Sequence, residues 1–259
     1  EAEAEARAAI GLESAYVGPA ALRERFGLER TGAIVSQGSA SADPARLAAG
    51  LLRRARANGA RVYSRVEVLE AASDPDGVTL LTDAGHAVRA KAVVFCCGYE
   101  FPKGVPTPGA RVISTWALAS KPRQGCPAWL RETLVWEASD PYLYFRMGGD
   151  GRLIVGGEDE ADPDAHADPA KLKRKCETIV RKLHALLPGV EFEVDYSWAG
   201  AFGESATGLP SIAPVPDMDH AWAVMGFGGN GITYAVIASQ VVSNALRGGA
   251  DPDADLYRP

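Results

Sequence analysis

The fold prediction depends on the stretch Met225-Gly226-Phe227-Gly228-Gly229-Asn230-Gly231-Ile232-Thr233. The apolar residues 221–225 ahead of it are typical of a strand, and the proline-free residues 234–246 after it predict a helix. Arg247 and the two glycines that follow it predict the end of that helix. Because the helix carries no charge before Arg247, we expect it to be buried on most sides.

The turn between this strand and this helix has four glycines in six residues, 226–231. Glycine allows positive φ and a close approach of a ligand to the main chain. The first turn of a helix also offers unpaired N–H groups and a partial positive charge. The turn is therefore either a site for an anionic oxygen or a tight entry into a buried helix. We do not interpret it as the dinucleotide fingerprint, which opens a βαβ unit, because the chain ends soon after the helix.

Composition limits the class of protein. A hydrophobic fraction of 47% and a charged fraction of 23% are typical of one large or two modest globular domains. The net charge of −6 weighs against a nucleic-acid partner. No apolar run approaches the length of a membrane span. Four cysteines without C-x-x-C spacing predict reduced thiols and a cytoplasmic protein, with a Cys96–Cys97 disulfide as the rare alternative.

The chain begins with alternating Glu and Ala and without Met, already inside a helix-forming run. We therefore expect that the numbered chain lacks an N-terminal portion. Residues 1–30 predict two short helices, and residues 32–36 predict a strand.

Residues 43–98 predict a helix followed by strands. Asp43-Pro44 starts the helix and Gly59 ends it. A strand at 60–64 and an antiparallel meander follow, with the meander strands at 66–71, 77–82 and 87–90. The continuously apolar run 93–98 predicts a central, parallel strand.

Residues 111–198 have a different pattern. Alternating apolar and polar residues at 111–157 predict an antiparallel sheet with a hairpin turn at 148–151. Asp168-Pro169 starts a long helix that Pro188-Gly189 ends, and a strand at 190–198 follows. The predicted fold class is α/β (α+β).

Charged residues near this helix predict no metal site. The lysines of residues 171–175, with Arg181 and Lys182, are interpreted as a solvated helix face. The acidic residues of 158–164 lack the spacing of a calcium loop and are interpreted as a solvated loop. The four histidines are scattered, and no catalytic Ser-His-Asp or Cys-His arrangement is visible.

Several motifs together resemble the D-amino-acid oxidase superfamily of FAD-dependent oxidoreductases, in the style of glycine oxidase and sarcosine oxidase. The resemblance covers nearly all of the 259 residues. Its motifs, in chain order, are the helix from Asp43, Gly59-Ala60-Arg61-Val62, the meander, Val93-Val94-Phe95-Cys96-Cys97-Gly98, Ile154-Val155-Gly156-Gly157, Trp198-Ala199-Gly200, Gly208-Leu209-Pro210-Ser211-Ile212-Ala213-Pro214 and the turn from Gly226 to Thr233.

The resemblance implies two domains. One is a partial FAD-binding Rossmann-like domain formed by residues 41–101 and 203–259, and the other is an antiparallel-sheet substrate-binding domain formed by residues 1–40 and 102–202. The family's N-terminal G-x-G-x-x-G strand–helix segment, which binds the FAD pyrophosphate, is absent from these residues.

The resemblance also implies FAD contacts. Val66 matches a residue whose backbone pairs with adenine, and the turn matches residues around the pyrimidine edge of the flavin. A helix start at that edge favours the reduced flavin by about 0.3–2 kcal/mol. The full predicted set is Val66, Cys97, Gly98, Gly200, Gly228, Gly229, Asn230, Gly231, Ile232 and Thr233.

The sequence departs from the family at the substrate carboxylate. Amino-acid oxidases of the family resemble W-x-G-x-R, whereas Phe202 stands at the arginine position here, and Gly229 replaces a basic residue of glycine oxidase. Phenylalanine cannot form a bidentate clamp, so a simple free amino acid is not the expected substrate.

A strand in the predicted sheet offers a substitute for the missing arginine. Tyr142, Tyr144 and Arg146 share one strand face, where Arg146 is a candidate anion clamp and the tyrosines are a candidate wall for an amine. The alternative is an outward face with a surface arginine. Trp116 and Trp136 either line the substrate cavity or belong to the core.

We therefore predict an FAD-dependent oxidoreductase that oxidises an amine or amino-acid derivative by hydride transfer to flavin N5. The alternative is a cofactor-free fragment or binding module that retains the substrate-domain sheet. The expected partner is a small-molecule amine or amino-acid-derived substrate; homo-oligomerisation and a missing N-terminal segment are left open.

Overall fold

The computed structural model describes residues 1–102, 104–105, 109–122 and 126–258. The chain forms two compact units. Unit 1 comprises Glu1–Asp43, Thr115–Glu160 and Ala165–Gly200, and unit 2 comprises Pro44–Ser114, Ala161–Asp164 and Ala201–Pro259. The division into a flavin-binding and a substrate-binding domain concerns what each unit binds and stays a prediction.

Helices and strands both contribute to each unit. The helices are α1 (Ala2–Ala9), α2 (Pro19–Phe26), α3 (Pro44–Ala57), α4 (Ala128–Glu132), α5 (Pro169–Leu186) and α6 (Gly231–Leu246). The strands are β1 (Ser14–Val17), β2 (Ala33–Ser36), β3 (Val68–Asp74), β4 (Gly77–Thr82), β5 (Ala87–Ala90), β6 (Val93–Phe95), β7 (Arg111–Ser120), β8 (Val135–Trp136), β9 (Leu143–Met147), β10 (Leu153–Glu160), β11 (Val194–Glu204), β12 (Ser211–Pro214) and β13 (Ala221–Met225). The predicted mixture of helices and sheets is confirmed.

The main sheet of unit 1 has the strand order β11-β7-β10-β9-β8. Strands β9 and β10 form the predicted antiparallel hairpin, closed where the N–H of Gly148 donates to the carbonyl of Arg152 at 2.7 Å. Leu143 and Phe145 on β9 are buried in the core, so Tyr144 between them lies on the opposite face of the sheet.

Helix α5 covers the core face of this sheet. The Asp168 side chain accepts a hydrogen bond from the N–H of Ala170 at 2.8 Å, and Pro169 is the first helical residue, as predicted. Ile179 and Leu183 are fully buried against the sheet.

The first 36 residues contain one element that the sequence pattern did not predict. Strand β1 lies between the two predicted helices and pairs antiparallel with β2. Only Val17 of its four residues is buried, so its sequence carries no clear alternation. The strand forms because a distant segment supplies its hydrogen-bond partners.

Unit 2 contains two three-stranded sheets, β3-β4-β5 and β12-β13-β6. The first is the predicted antiparallel meander. In the second, β6 pairs parallel with β13 as predicted, but it lies at the edge of the described sheet, so the prediction of a central strand is wrong. The predicted strand at 60–64 is also wrong, because these residues pair with no strand in the described part of the chain.

Helix α6 ends as predicted, with Gly248 at a φ of 80°. Its residues Ala238 and Val241 pack with Val224 of β13. Ile232 and Val236 are about half exposed, so the prediction of burial on most sides is wrong. The sheet supports one face of the helix only. None of the helices in the described ranges has the length and hydrophobicity of a membrane span.

Candidate functional site

The parallel strands β6 and β13 end at the same sheet edge, because parallel neighbours run in the same direction. Cys97 and Gly98 follow β6, and the glycine-rich turn follows β13. The N–H of Gly226 donates to the carbonyl of Gly98 at 3.1 Å, and the N–H of Cys97 donates to Met225 Sδ at 3.2 Å. In open α/β sheets, ligands bind at such carboxyl ends.

Helix α6 begins at this edge with free donors. Asn230 is the N-cap residue, but its side chain makes no capping hydrogen bond. Along the helix, the N–H of Tyr234 is the first that has an acceptor, the carbonyl of Asn230 at 3.1 Å. The N–H groups of Gly231, Ile232 and Thr233 have no acceptor in the described part of the chain. The helix start is therefore an open site for negative charge.

Two residues that the sequence analysis did not select hold this turn. The N–H of Gly228 donates to the carbonyl of Gly203 at 3.0 Å, and Tyr99 Oη donates to the carbonyl of Gly228 at 3.4 Å. A Cβ at Gly203 would lie 2.7 Å from Tyr99 Cδ1, so the ring requires glycine there. Burial raises the pKa of the Tyr99 hydroxyl, which stays neutral. The position of Tyr99 directly after Gly98 was the available signal.

The predicted cofactor residues are thus only partly brought together. Cys97, Gly98 and residues 228–233 lie at this one edge of unit 2. Val66 lies in an irregular segment before β3 and is half exposed. Gly200 belongs to β11 in unit 1, where an added Cβ would meet nothing within 4 Å.

The substrate candidates of unit 1 lie on the sheet face opposite the core. Tyr142 and Tyr144 have ring centroids 6.2 Å apart, and Arg146 continues the row. Trp136 on β8 joins them, with its ring centroid 5.1 Å from that of Tyr142 and 6.5 Å from that of Tyr144. Trp116 is fully buried in the core. We call Trp136, Tyr142 and Tyr144 the aromatic cluster.

A carboxylate lies beside the aromatic cluster. Tyr142 Oη donates to Asp159 Oδ2 at 2.5 Å, while Asp159 Oδ1 is buried and accepts no hydrogen bond from the described residues. Burial and, second, the negative charge of Asp159 raise the pKa of the Tyr144 hydroxyl, against a hydrogen bond with Thr115 that lowers it. The Asp159 carboxylate therefore lies close enough to affect the Tyr144 hydroxyl.

The predicted solvated acidic loop is wrong for residues 158–160, which end strand β10. Glu158 is buried and pairs with Lys182, and Glu160 accepts from Lys171 at 2.5 Å. Lys175 Nζ donates to the carbonyl of Glu158 at 2.7 Å. These lysines face the sheet, so the prediction of one solvated basic face is also wrong. Opposite charges on a strand end and on the next helix were the signal for this pairing.

Two further features concern β11. Phe202 is partly buried on β11, in its unit 2 portion. A cavity of about 650 Å³ in unit 1 lies between α5 and β11, and Leu172, Cys176 and Ser197 are among its lining residues. None of the predicted site residues lines it.

Comparisons with known proteins agree with this architecture. The sequence model of a family described as FAD dependent oxidoreductase (DAO) matches residues 1–245. Gamma-glutamylputrescine oxidoreductase of Escherichia coli is 25% identical over 245 residues, which cover 89% of this chain and 54% of the relative. Glycine oxidase of Geobacillus kaustophilus is 27% identical over 227 residues, which cover 83% and 56% of the two chains. The chain thus spans about half the length of these relatives.

Solved structures show the same fold. The crystal structure of the Geobacillus kaustophilus glycine oxidase superposes with a TM-score of 0.83 at 21% identity, covering 97% of this chain and 67% of that chain. L-proline dehydrogenase from P. horikoshii gives a TM-score of 0.82 at 18% identity, with coverages of 98% and 70%. The family match over residues 1–245 decides the assignment: this chain belongs to the DAO family of FAD dependent oxidoreductases.

Proposed function

We propose that this chain is part of an enzyme that uses FAD to oxidise an amine or an amino-acid derivative at a C–N bond. The observation that carries the proposal is the open start of α6, where the N–H groups of Gly231, Ile232 and Thr233 have no acceptor among the described residues. A cofactor-free binding module gives no reason for such an arrangement at the end of two parallel strands. Membership of the family supports the same choice.

The residues at this edge fit the flavin of FAD. The cofactor, when bound, supplies the hydride acceptor. The N–H groups of residues 231–233 would hold the edge of its ring that gains negative charge, because they are free donors at the positive end of a helix. The proposed set is completed by Val66, Cys97, Gly98, Gly200, Gly228, Gly229 and Asn230.

The substrate would be a small amine. The names gamma-glutamylputrescine oxidoreductase and glycine oxidase each denote an amino compound, and we extend this substrate class to the present chain. Tyr142 and Tyr144 would orient the amine, and Arg146 would bind an anionic group of the substrate. Phe202 in place of an arginine favours an amino-acid derivative over a free amino acid. The cysteine pattern supports a cytoplasmic location for the enzyme.

A charge substitution at the helix start tests the cofactor assignment. Gly231 has ordinary φ, and an added Cβ would lie 3.8 Å from Phe227 Cβ, so a side chain fits there. Gly231→Asp places a carboxylate at the amides, and Gly231→Asn places a neutral group of the same size. We expect the Asp variant to bind FAD about 2- to 30-fold more weakly than the Asn variant, from the magnitude of helix-end charge effects.

The measurement is FAD binding followed by flavin absorbance, on these 259 residues and on the full-length gene product. Flavin uptake with the expected order of the two variants supports the proposal, and a screen of amines with a dye as electron acceptor then identifies the substrate. Absence of flavin from both proteins, even with added FAD, would leave only the binding-module alternative.

A further inference from the structure

The cavity between α5 and β11 lies within unit 1, and none of the predicted site residues lines it. Its volume of about 650 Å³ is in the range of natural ligand-binding clefts. Leu172, Cys176 and Val180 of α5 form its floor, because they pack on the core and are only partly buried. Val194 and Ser197 line it from the strand. We call this cavity the α5–β11 groove.

Strand β11 gives the groove an unpaired backbone edge. The strand lies at the end of the order β11-β7-β10-β9-β8, so in the described sheet it is paired on one side, by β7. Among the described residues, no main-chain hydrogen bond joins residues 194–200 to a segment other than β7. An edge strand offers its free N–H and C=O groups to an added strand. The α5–β11 groove therefore combines a strand edge with an apolar floor.

The outer rim of the groove carries three charges of alternating sign. Lys173, Glu177 and Arg181 are exposed, line the groove and follow one another at intervals of four residues along α5. Other charged side chains of this helix have partners of opposite charge. None of the ion pairs in the described ranges includes one of the three rim residues. Their charges are thus available to a bound molecule.

The spacing of the rim charges matches that of an extended peptide. Lys173 and Arg181 are two such intervals apart, which is about 12 Å along the helix axis. In an extended strand, residues i and i+4 are about 13 Å apart and point to the same face. Carboxylates at these two positions would reach both cations, and a basic residue at i+2 would lie opposite Glu177. The aliphatic stems of these side chains would cover the apolar floor.

We propose that the α5–β11 groove binds an extended peptide segment of a partner protein, which adds as a strand beside β11 and carries an acid, a lysine or arginine, and an acid at alternate positions. Main-chain hydrogen bonds to the strand edge supply affinity, and the rim charges set the register. The 259 residues contain no lysine or arginine with a carboxylate both two positions before and two positions after it. A second copy of this chain therefore lacks the matching segment, so the partner is a different protein. The site requires neither flavin nor turnover and is independent of the proposed function.

Two labelled heptapeptides test the site on the chain of 259 residues. Thr-Glu-Val-Lys-Val-Glu-Thr carries the matching charges, and Thr-Lys-Val-Glu-Val-Lys-Thr reverses each of them. Fluorescence anisotropy at low salt measures both affinities. We expect the matching peptide to bind at least about fivefold more tightly, because three surface ion pairs become repulsions on reversal. Non-specific attraction would favour the reversed peptide instead, since the protein has a net charge of −6.

Backbone methylation tests whether the peptide binds as a strand. Alternate residues of a strand direct their N–H groups to opposite sides, so only every second N–H of the peptide faces β11. One matching peptide is therefore N-methylated at both valines, and another at the lysine and both glutamates. We expect one of the two to bind at least about fivefold more weakly than the unmethylated peptide, through lost hydrogen bonds, and the other to keep its affinity.

Variants of the chain locate the site. Arg181→Glu reverses a rim charge and should weaken binding of the matching peptide at least about threefold. Arg174→Glu makes the same charge change on α5 outside the groove and should leave binding unchanged. Val194→Glu, at the strand side of the groove, should also weaken binding, with Val88→Glu on an exposed position of β5 as its control. Thermal unfolding checks that the four variants, all at exposed positions, are folded.

Equal affinity for the matching and reversed peptides, tolerance of both methylation patterns, or no effect of Arg181→Glu would each overturn the peptide site. A dimer of this chain that excludes the matching peptide, detected by size-exclusion chromatography, would assign the strand edge to a second copy and would overturn it as well. These outcomes are separate from failure of the proposed function, which is decided by flavin absorbance.

Discussion

The backbone N–H of Gly226 donates to the carbonyl oxygen of Gly98 at 3.1 Å. The two glycines have φ values of 71° and 67°, in the left-handed region. They follow the parallel strands β13 and β6, so this bond joins the two chain segments at the point where both leave the sheet. The position of the turn at the start of α6 depends on this pair.

Gly98→Ala should destabilise the protein by about 1–2 kcal/mol, because a Cβ is unfavourable at positive φ. Space is not the cause, since an added Cβ would meet nothing within 4 Å. Gly189→Ala is the control, because its surroundings are equally open and its φ is ordinary. Urea unfolding measures both. Equal effects of the two substitutions would contradict backbone strain at Gly98.

Lys182→Met should destabilise unit 1 by about 2 kcal/mol, because it leaves the buried carboxylate of Glu158 without its ion-pair partner. The expected loss is below that of a fully buried pair, since Lys182 is partly exposed. Lys173→Met, on an exposed position of the same helix, should change stability by less than about 0.5 kcal/mol. Adding Glu158→Gln to Lys182→Met should recover part of the loss; a larger loss in the double variant would argue against an uncompensated charge.

The Asp74–Arg89 pair should make the stability of the meander depend on acid pH. Hydrogen bonds from Arg89, at 2.5 and 2.7 Å, lower the pKa of Asp74 from 3.8 to about 2. A lowered pKa in the folded state means that the pair stabilises the fold above about pH 4, and that this contribution is lost as the pH falls through 2. The difference in Tm between the wild type and Arg89→Gln should therefore be constant near neutral pH and shrink below pH 4.

The control for this pH series is Arg54→Gln, on an exposed position of α3 where no ion pair is formed in the described structure. Its difference from the wild type should not vary between pH 4 and pH 2. A difference for Arg89→Gln that grew on acidification would have the wrong sign and would refute the assignment.

Gly156→Ala should displace the Tyr144 ring, because the new Cβ would overlap its hydroxyl and lie 3.0 Å from the carbonyl oxygen of Trp116. We expect a loss of about 1–3 kcal/mol in the free energy of unfolding, typical of overpacking. Gly149→Ala, in the open hairpin turn, should leave this free energy unchanged. Unfolding by urea measures both variants, and equal stabilities would contradict overpacking at Gly156.

Local sequence signals determined much of the fold. Asp168-Pro169 set the start of α5, because the aspartate side chain caps the helix and the proline has the required φ. The glycine-rich turn likewise predicted the junction of β13 and α6, since only glycine takes the positive φ values of this turn without strain. Such signals involve residues a few positions apart and are visible without knowledge of the fold.

Pairings between distant segments were not visible in the same way. Strand β1 exists because β2 pairs with it. Strand β6 has an apolar run that is typical of a central strand, but it lies at the edge of the described sheet. Tyr99 and Gly203, which hold the turn, are far apart along the sequence, so no local pattern joins them.

By itself the sequence determined the strand–turn–helix at 221–247, the antiparallel hairpin and the shared face of Tyr142, Tyr144 and Arg146, because backbone propensity and side-chain period are local properties. Only the tertiary structure decided that Trp136 and Asp159 join that face. The interruption of the alternation at Glu158 reverses which acidic side chain faces the helix, and a one-residue change in a strand exchanges its two faces. The identity of the residues beside a candidate substrate therefore depends on strand register and on a single backbone irregularity, both of which are fixed by the packing of the whole unit.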